Sequence, residues 1–269
     1  MFGTKTIGTI KMKNKQTWLP VGQLNGLQLF LAYAIPSGIA SVGFHSVLPE
    51  MVSRGMSPII GWPLVASVML LAFTLLALYL LKREAKQNGI TLKERALLKF
   101  PNARQWLIFL GILVAGIIVS LVFNQTVVPF MDLLNLTVPD YYPFWFHPEF
   151  DFSSEGKEVL SQVVLETGIA SFIGLFFLTL LFNILAEDLY FRAWLLPKMG
   201  RFGKWAWVLN GLLFALYHIF QLWLMPVILV ISLVMAYVVY KSRSIWPSLV
   251  MHFLVNFLGT GLQFLIILK

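Results

Sequence analysis

Four side chains able to move a proton or bind an oxyanion stand in apolar surroundings: Glu187, His218, His252 and Asn256. A glutamate beside a histidine takes a proton from water, because desolvation strengthens the carboxylate as a base. A second histidine and an asparagine amide donate hydrogen bonds to a developing oxyanion. Together these are the parts needed to hydrolyse an amide. The same groups have a second reading, in which Glu187, His218 and His252 bind a divalent metal such as zinc and leave one position open to water.

Spacing adds to this. His252 and Asn256 are four residues apart and share a helix face, with Ser248 one turn earlier and Phe214 one turn before His218. Asp188 and Arg192 are also four apart, the spacing of an intrahelical ion pair, and are expected to neutralise each other as structural support. Glu187 points about 100° away from Asp188 on a helix of 3.6 residues per turn, which leaves it free for another partner. His45 and His147 fall near predicted outer ends and are expected to have ordinary interfacial roles.

The setting makes these residues informative. Gly168–Leu185 carries no charge and Ala193–Pro197 is apolar again. A charge at the centre of a membrane helix costs about 2.5–3.5 kcal/mol on insertion scales, so an ionisable residue there is first a functional-site hypothesis. The chain is 58% hydrophobic and 12% charged, with a mean hydropathy of +0.80, against about 25% charged in soluble domains. It is therefore read as an all-α, polytopic transmembrane bundle. The lack of cysteine excludes disulfides, thiolate metal sites and a cysteine nucleophile. No His-Glu-x-x-His, Gly-x-Ser-x-Gly or glycine-rich phosphate loop is present, so zincin, serine-hydrolase and nucleotide-binding readings lack support.

The elements that position these residues follow from hydropathy. Residues 1–20, with Lys5, Lys11, Lys13 and Lys15 and no apolar core of a signal peptide, are expected to be a cytoplasmic tail. Residues 21–269 are expected to form a single membrane domain of seven to eight spans, with the catalytic helices in 159–269. The first two spans cover Leu24–Leu48 and Pro58–Leu81. The basic segment Lys82–Arg104, with Leu92, Ala96 and Phe100 four apart, predicts an interfacial amphipathic helix. A third span covers Trp106–Val128, and the aromatic, acidic Met131–Glu158 is expected to be a headgroup-level loop. Beyond it, Glu166–Met199 would be about 51 Å long as one helix, against a hydrocarbon core of about 30 Å. It must be tilted, broken near Gly168 or Gly174, or partly interfacial. Lys204–Phe220, Leu222–Tyr240 and Ile245–Leu268 give three more spans.

With the N-terminus inside, seventeen of the twenty Lys and Arg fall on the predicted inner side. The net charge of +8 is therefore membrane topology, not a nucleic-acid footprint. Counted from the inner ends at 1.5 Å per residue, Glu187 and Asn256 lie about 18 Å deep, His218 about 24 Å and His252 about 12 Å. One cluster drawn from three helices is geometrically reasonable.

The order of motifs, Glu187-Asp188-x-x-x-Arg192, Phe214-x-x-x-His218 and His252-x-x-x-Asn256, with Ser244-Ile245-Trp246-Pro247-Ser248 before the third, resembles the CPBP family (CAAX proteases and bacteriocin-processing enzymes, also called Abi). The resemblance covers about 70 residues. It implies an intramembrane endopeptidase in which Glu187 activates water with help from His218, His252 and Asn256 form the oxyanion site, and Arg192 supports through the paired acid. The departure is Asp188, where the family usually has a second glutamate; it keeps the charge and shortens the reach. Members are described both as metalloproteases and as metal-independent glutamate enzymes, and with two histidines and no third strong ligand the second is favoured, with no cofactor required. The expected partners are the lipid bilayer and a peptide or membrane-protein substrate, and the expected location is a bacterial plasma membrane. The rival functions are a proton-coupled transporter using the Glu/His cluster as a relay, and a non-proteolytic immunity or signalling scaffold.

Overall fold

Asn25 starts the first helix: its side chain accepts the Gln28 backbone N–H, while the Gln28 side chain accepts the Asn25 N–H. In the computed structural model, which describes residues 21–148 and 155–261, α1 (Gly26–Val42) continues through a π-helical turn, Gly43–Val47, into α2 (Leu48–Ser53). Then come α3 (Pro58–Asn88), the single turn α4 (Leu92–Arg95), α5 (Ala103–Asn124) and α6 (Val127–Leu134). After a short aromatic turn at Phe144–Phe146 come α7 (Glu155–Thr167) and α8 (Ile169–Glu187). A π-helix over Asp188–Leu195 and a 3₁₀ run over Leu196–Trp205 connect α8 to α9 (Ala206–Tyr217). A second 3₁₀ run, Ile219–Leu224, leads to α10 (Met225–Ser242), α11 (Trp246–Asn256) and a last π turn, Phe257–Gly261. No strand occurs among the described residues. The tail expected over 1–20 lies outside them.

The chain is an all-α integral membrane protein. Among the described residues five helical stretches are long and apolar enough to cross a bilayer: Gly26–Ser53, Pro58–Gln87, Ala103–Asn124, Ile169–Tyr217 and Ile219–Ser242. Side chains such as Phe30, Leu107 and Leu121 project outward from them, which suits a hydrocarbon surround. The stretch Ile169–Tyr217 is not one rod. Gly203, at φ +55°, turns the chain, so that Phe191 meets Phe214 and Arg192 meets Asn210. α9 therefore runs back along the π-helix. With that hairpin opened into two limbs and α11 added, seven helical limbs result, in line with the expected seven to eight.

Two expectations are resolved or revised. The overlong fourth element is not one α-helix: Gly168, whose φ of +80° is open to glycine and strained for other residues, separates α7 from α8, and α8 itself ends at Glu187, where the winding changes. The basic segment Lys82–Arg104 does not form an amphipathic helix. Its first residues extend α3, and only one turn, α4, follows. The physical reason lies in Arg95, which is fully buried instead of facing water. Its Nε and Nη2 donate to Glu84 Oε2 at 2.9 and 2.7 Å, and Nη1 and Nη2 donate to the Ala193 and Trp194 carbonyls at 2.6 and 3.0 Å. Lys198 Nζ, at 2.6 Å, and Trp194 Nε1, at 2.9 Å, complete the shell on Glu84 Oε1. This network ties the C-terminal end of α3 to the end of the π-helix.

The opposite end is held by Phe220, whose carbonyl accepts from His45 Nε2 at 2.9 Å and Tyr142 Oη at 3.0 Å. Tyr141 Oη donates to His45 Nδ1 at 2.9 Å. His45 thus fastens the aromatic loop to the kink after α9. Burial pushes the Tyr142 phenol above its ordinary range, so it stays a neutral donor. Between these two clamps α8 packs on α3 and α11, and α10 on α9 and α5.

Candidate active site

The last residue of α8 is Glu187, and the helix winding changes directly after it. From Asp188 to Leu195 the backbone is π-helical, a rare form that frequently occurs at functional sites. The wider winding alters the register by which residues four apart share a face. The expected ion pair between Asp188 and Arg192 is accordingly not made. Asp188, fully buried, turns to α11 instead: Oδ2 accepts from His252 Nδ1 at 2.9 Å and Oδ1 from Ser248 Oγ. Arg192 turns to α9, where Nη1 donates to Asn210 Oδ1 at 3.2 Å and the guanidinium lies 4.0 Å from the Phe214 ring centroid. That is cation–π geometry. Asn210 Nδ2 also bonds Tyr33 Oη and the Phe191 carbonyl, binding α1, the π-helix and α9 together.

Glu187 is the centre of the cluster. Its Oε1 lies 3.5 Å from His218 Nε2 and its Oε2 lies 3.6 Å from His252 Nε2. All three side chains are buried. The hydrogen bonds on the far sides of the rings define the tautomers. His218 Nδ1 faces the Phe214 carbonyl at 3.0 Å, and a carbonyl only accepts, so that nitrogen carries a proton. His252 Nδ1 faces the Asp188 carboxylate and likewise donates. Both Nε2 atoms are therefore turned toward Glu187, as a lone pair in the neutral ring or an N–H in the imidazolium.

Asn256 stands one turn beyond His252 on α11, and its Nδ2 donates to Asn183 Oδ1 at 2.9 Å. Asn183 was not among the residues singled out from the sequence. The signal was available: it is the one carboxamide in α8, four positions before Glu187. Ser248 had been noted only for its position on the helix face; its bond to Asp188 depends on α11 docking against α8.

Two cavities meet at this cluster. The larger, about 770 Å³, lies between α1, α3 and the active-site hairpin and is lined by Leu31, Ile39, Phe73 and Tyr190 among others. The smaller, about 340 Å³, is bounded by α10 and α11 and contains Thr179, Ser232, His252 and Asn256. Glu187, His218, Asn183 and Gln221 border both. As to a metal, each Glu187 oxygen faces a different imidazole. No group of three or more His, Cys, Asp or Glu side chains among the described residues is arranged to hold an ion. As arranged, these side chains do not form a metal centre among the described residues.

Residues 169–258, about a third of the chain, match the family model described as Rce1-like, type II CAAX prenyl endopeptidase Rce1-like. The matched segment runs from the start of α8 to just beyond Asn256 and contains every residue of the cluster. No curated protein and no solved structure matches the chain.

Proposed function

We propose that this membrane protein, Rce1-like over residues 169–258, is an intramembrane endopeptidase that uses Glu187 as its base. The match implies a protease at the level of the family; the residue roles and the substrate are our reading. The observation that carries it is the position of the Glu187 carboxylate, between two imidazole Nε2 atoms and on the wall common to two cavities.

A peptide lying across both cavities passes its backbone over that carboxylate. Glu187 accepts a proton from water, and the water oxygen attacks the scissile carbonyl carbon. His218 presents its Nε2 lone pair to the same water and helps to orient it. As the carbonyl π electrons move onto oxygen, the His252 imidazolium, balanced by Asp188, and the Asn256 amide donate to the oxyanion. When the C–N bond breaks, the proton taken by Glu187 passes to the leaving nitrogen, and the products are a carboxylic acid and an amine. Arg192 acts at a distance, by fastening the hairpin that carries both Glu187 and His218. The scheme uses no cofactor.

The positive-inside count supports a cytoplasmic N-terminus, a bacterial plasma membrane and a cut on the cytoplasmic side of a peptide or membrane protein. The test is a comparison of full-length protein and Glu187→Gln in liposomes. Each is incubated with a solubilised membrane-protein extract and a prenylated peptide ending in a CAAX sequence, and new termini are read by mass spectrometry. Termini are expected with the natural protein alone. Equal cleavage by Glu187→Gln would sink the reading.

A further inference from the structure

A membrane helix carries an uncharged polar side chain at a cost, and Asn183 is neither at a helix end nor part of either clamp. One helical turn before Glu187, it borders both cavities beside that carboxylate. Its Oδ1 accepts one N–H of Asn256 at 2.9 Å. An asparagine amide has two N–H groups, and the terminal torsion that aims them is broad and roughly two-fold. An Asn256 held only by its own helix would present nitrogen or oxygen to the cavity with little preference. The acceptor on α8 selects one orientation and leaves the second Asn256 N–H for a ligand. On the reading of the site given above, we infer that Asn183 is a positioning residue: it orients the Asn256 amide as an oxyanion donor before the substrate arrives.

A donor held in advance is worth more than one recruited during the reaction, and small misplacements of a catalytic group cost up to about 100-fold in rate. The experiment uses a synthetic peptide spanning the most abundant Glu187-dependent cut. It measures kcat and KM for Asn183→Ala, Asn256→Ala and the double variant, with thermal unfolding of each. Asn183→Ala is expected to lower kcat by about 10- to 100-fold with KM little changed, and the double variant to be no slower than Asn256→Ala. Where the alanine variant fails to fold, Asn183→Gln keeps an amide but moves its carbonyl by one methylene, and the same loss in kcat is expected. Losses that multiply in the double variant, or a natural kcat in Asn183→Ala beside a slow Asn256→Ala, overturn the inference and leave the protease reading intact. A natural kcat in Asn256→Ala removes the oxyanion role of that amide and overturns the inference with it, and the absence of any Glu187-dependent cut overturns the inference and the protease reading together.

Discussion

Replacing Asp188 by asparagine isolates what the second acid of the motif does. The substitution preserves size and removes the charge at a side chain that is fully buried and shared by His252 and Ser248. The natural carboxylate accepts two bonds and keeps the proton of His252 on Nδ1. An asparagine that accepts from Ser248 must offer its NH₂ to the ring, which drives the His252 proton to Nε2, facing Glu187 at 3.6 Å. With Nδ1 accepting, the ring stays neutral and is protonated on Nε2 alone, so the oxyanion loses the charged donor that Asp188 supports. A hydrogen bond to a charged group contributes about 1.5–3 kcal/mol, so kcat is expected to fall about 10- to 160-fold at 1.36 kcal/mol per tenfold. KM should change little, because Asp188 borders neither cavity. Steady-state cleavage of the Glu187-dependent peptide, with an unfolding curve to show that the protein is intact, is the assay. A folded Asp188→Asn protein with unchanged kcat would refute the assignment of Asp188 to His252.

Other consequences can be checked separately. Arg95→Met leaves Glu84 with Lys198 alone as its counter-charge and frees two carbonyls; each hydrogen bond to a charged group contributes about 1.5–3 kcal/mol, so the unfolding temperature in detergent is expected to drop, and an unchanged one would argue against the clamp around Glu84. At Gly211 a Cβ would sit 2.9 Å from Leu233 Cα, backbone rather than a flexible side chain, so Gly211→Ala forces α9 and α10 apart at about 1–3 kcal/mol, again read by thermal unfolding. Dialysis against a chelator is expected to leave Glu187-dependent cleavage unchanged; loss of activity that zinc restores would instead support a divalent metal on Glu187, His218 and His252.

Much of the architecture is legible in one dimension because a membrane imposes it. Spans must be apolar and long, so their number and order follow from hydropathy, and charged residues inside them stand out. Glu187, His218 and His252 announce themselves because ionisable groups are costly in hydrocarbon, whereas Asn183 goes unnoticed because an uncharged amide does not. The partners of the charged residues are another matter. Spacing of four residues predicts that Asp188 meets Arg192 only if the winding stays α-helical, and helix docking decides otherwise: α11 brings His252 and Ser248 to Asp188, and α9 brings Asn210 and Phe214 to Arg192. In the same way the periodicity around Leu92 reads as an amphipathic surface helix, until Glu84 and the Ala193 and Trp194 carbonyls draw Arg95 inside. The sequence by itself determined that this is a multispan helical protein with a glutamate, two histidines and an asparagine at compatible depths. Only the tertiary structure decided which acid faces the two Nε2 atoms and which holds a ring from behind, because that choice depends on winding and docking that no local pattern encodes.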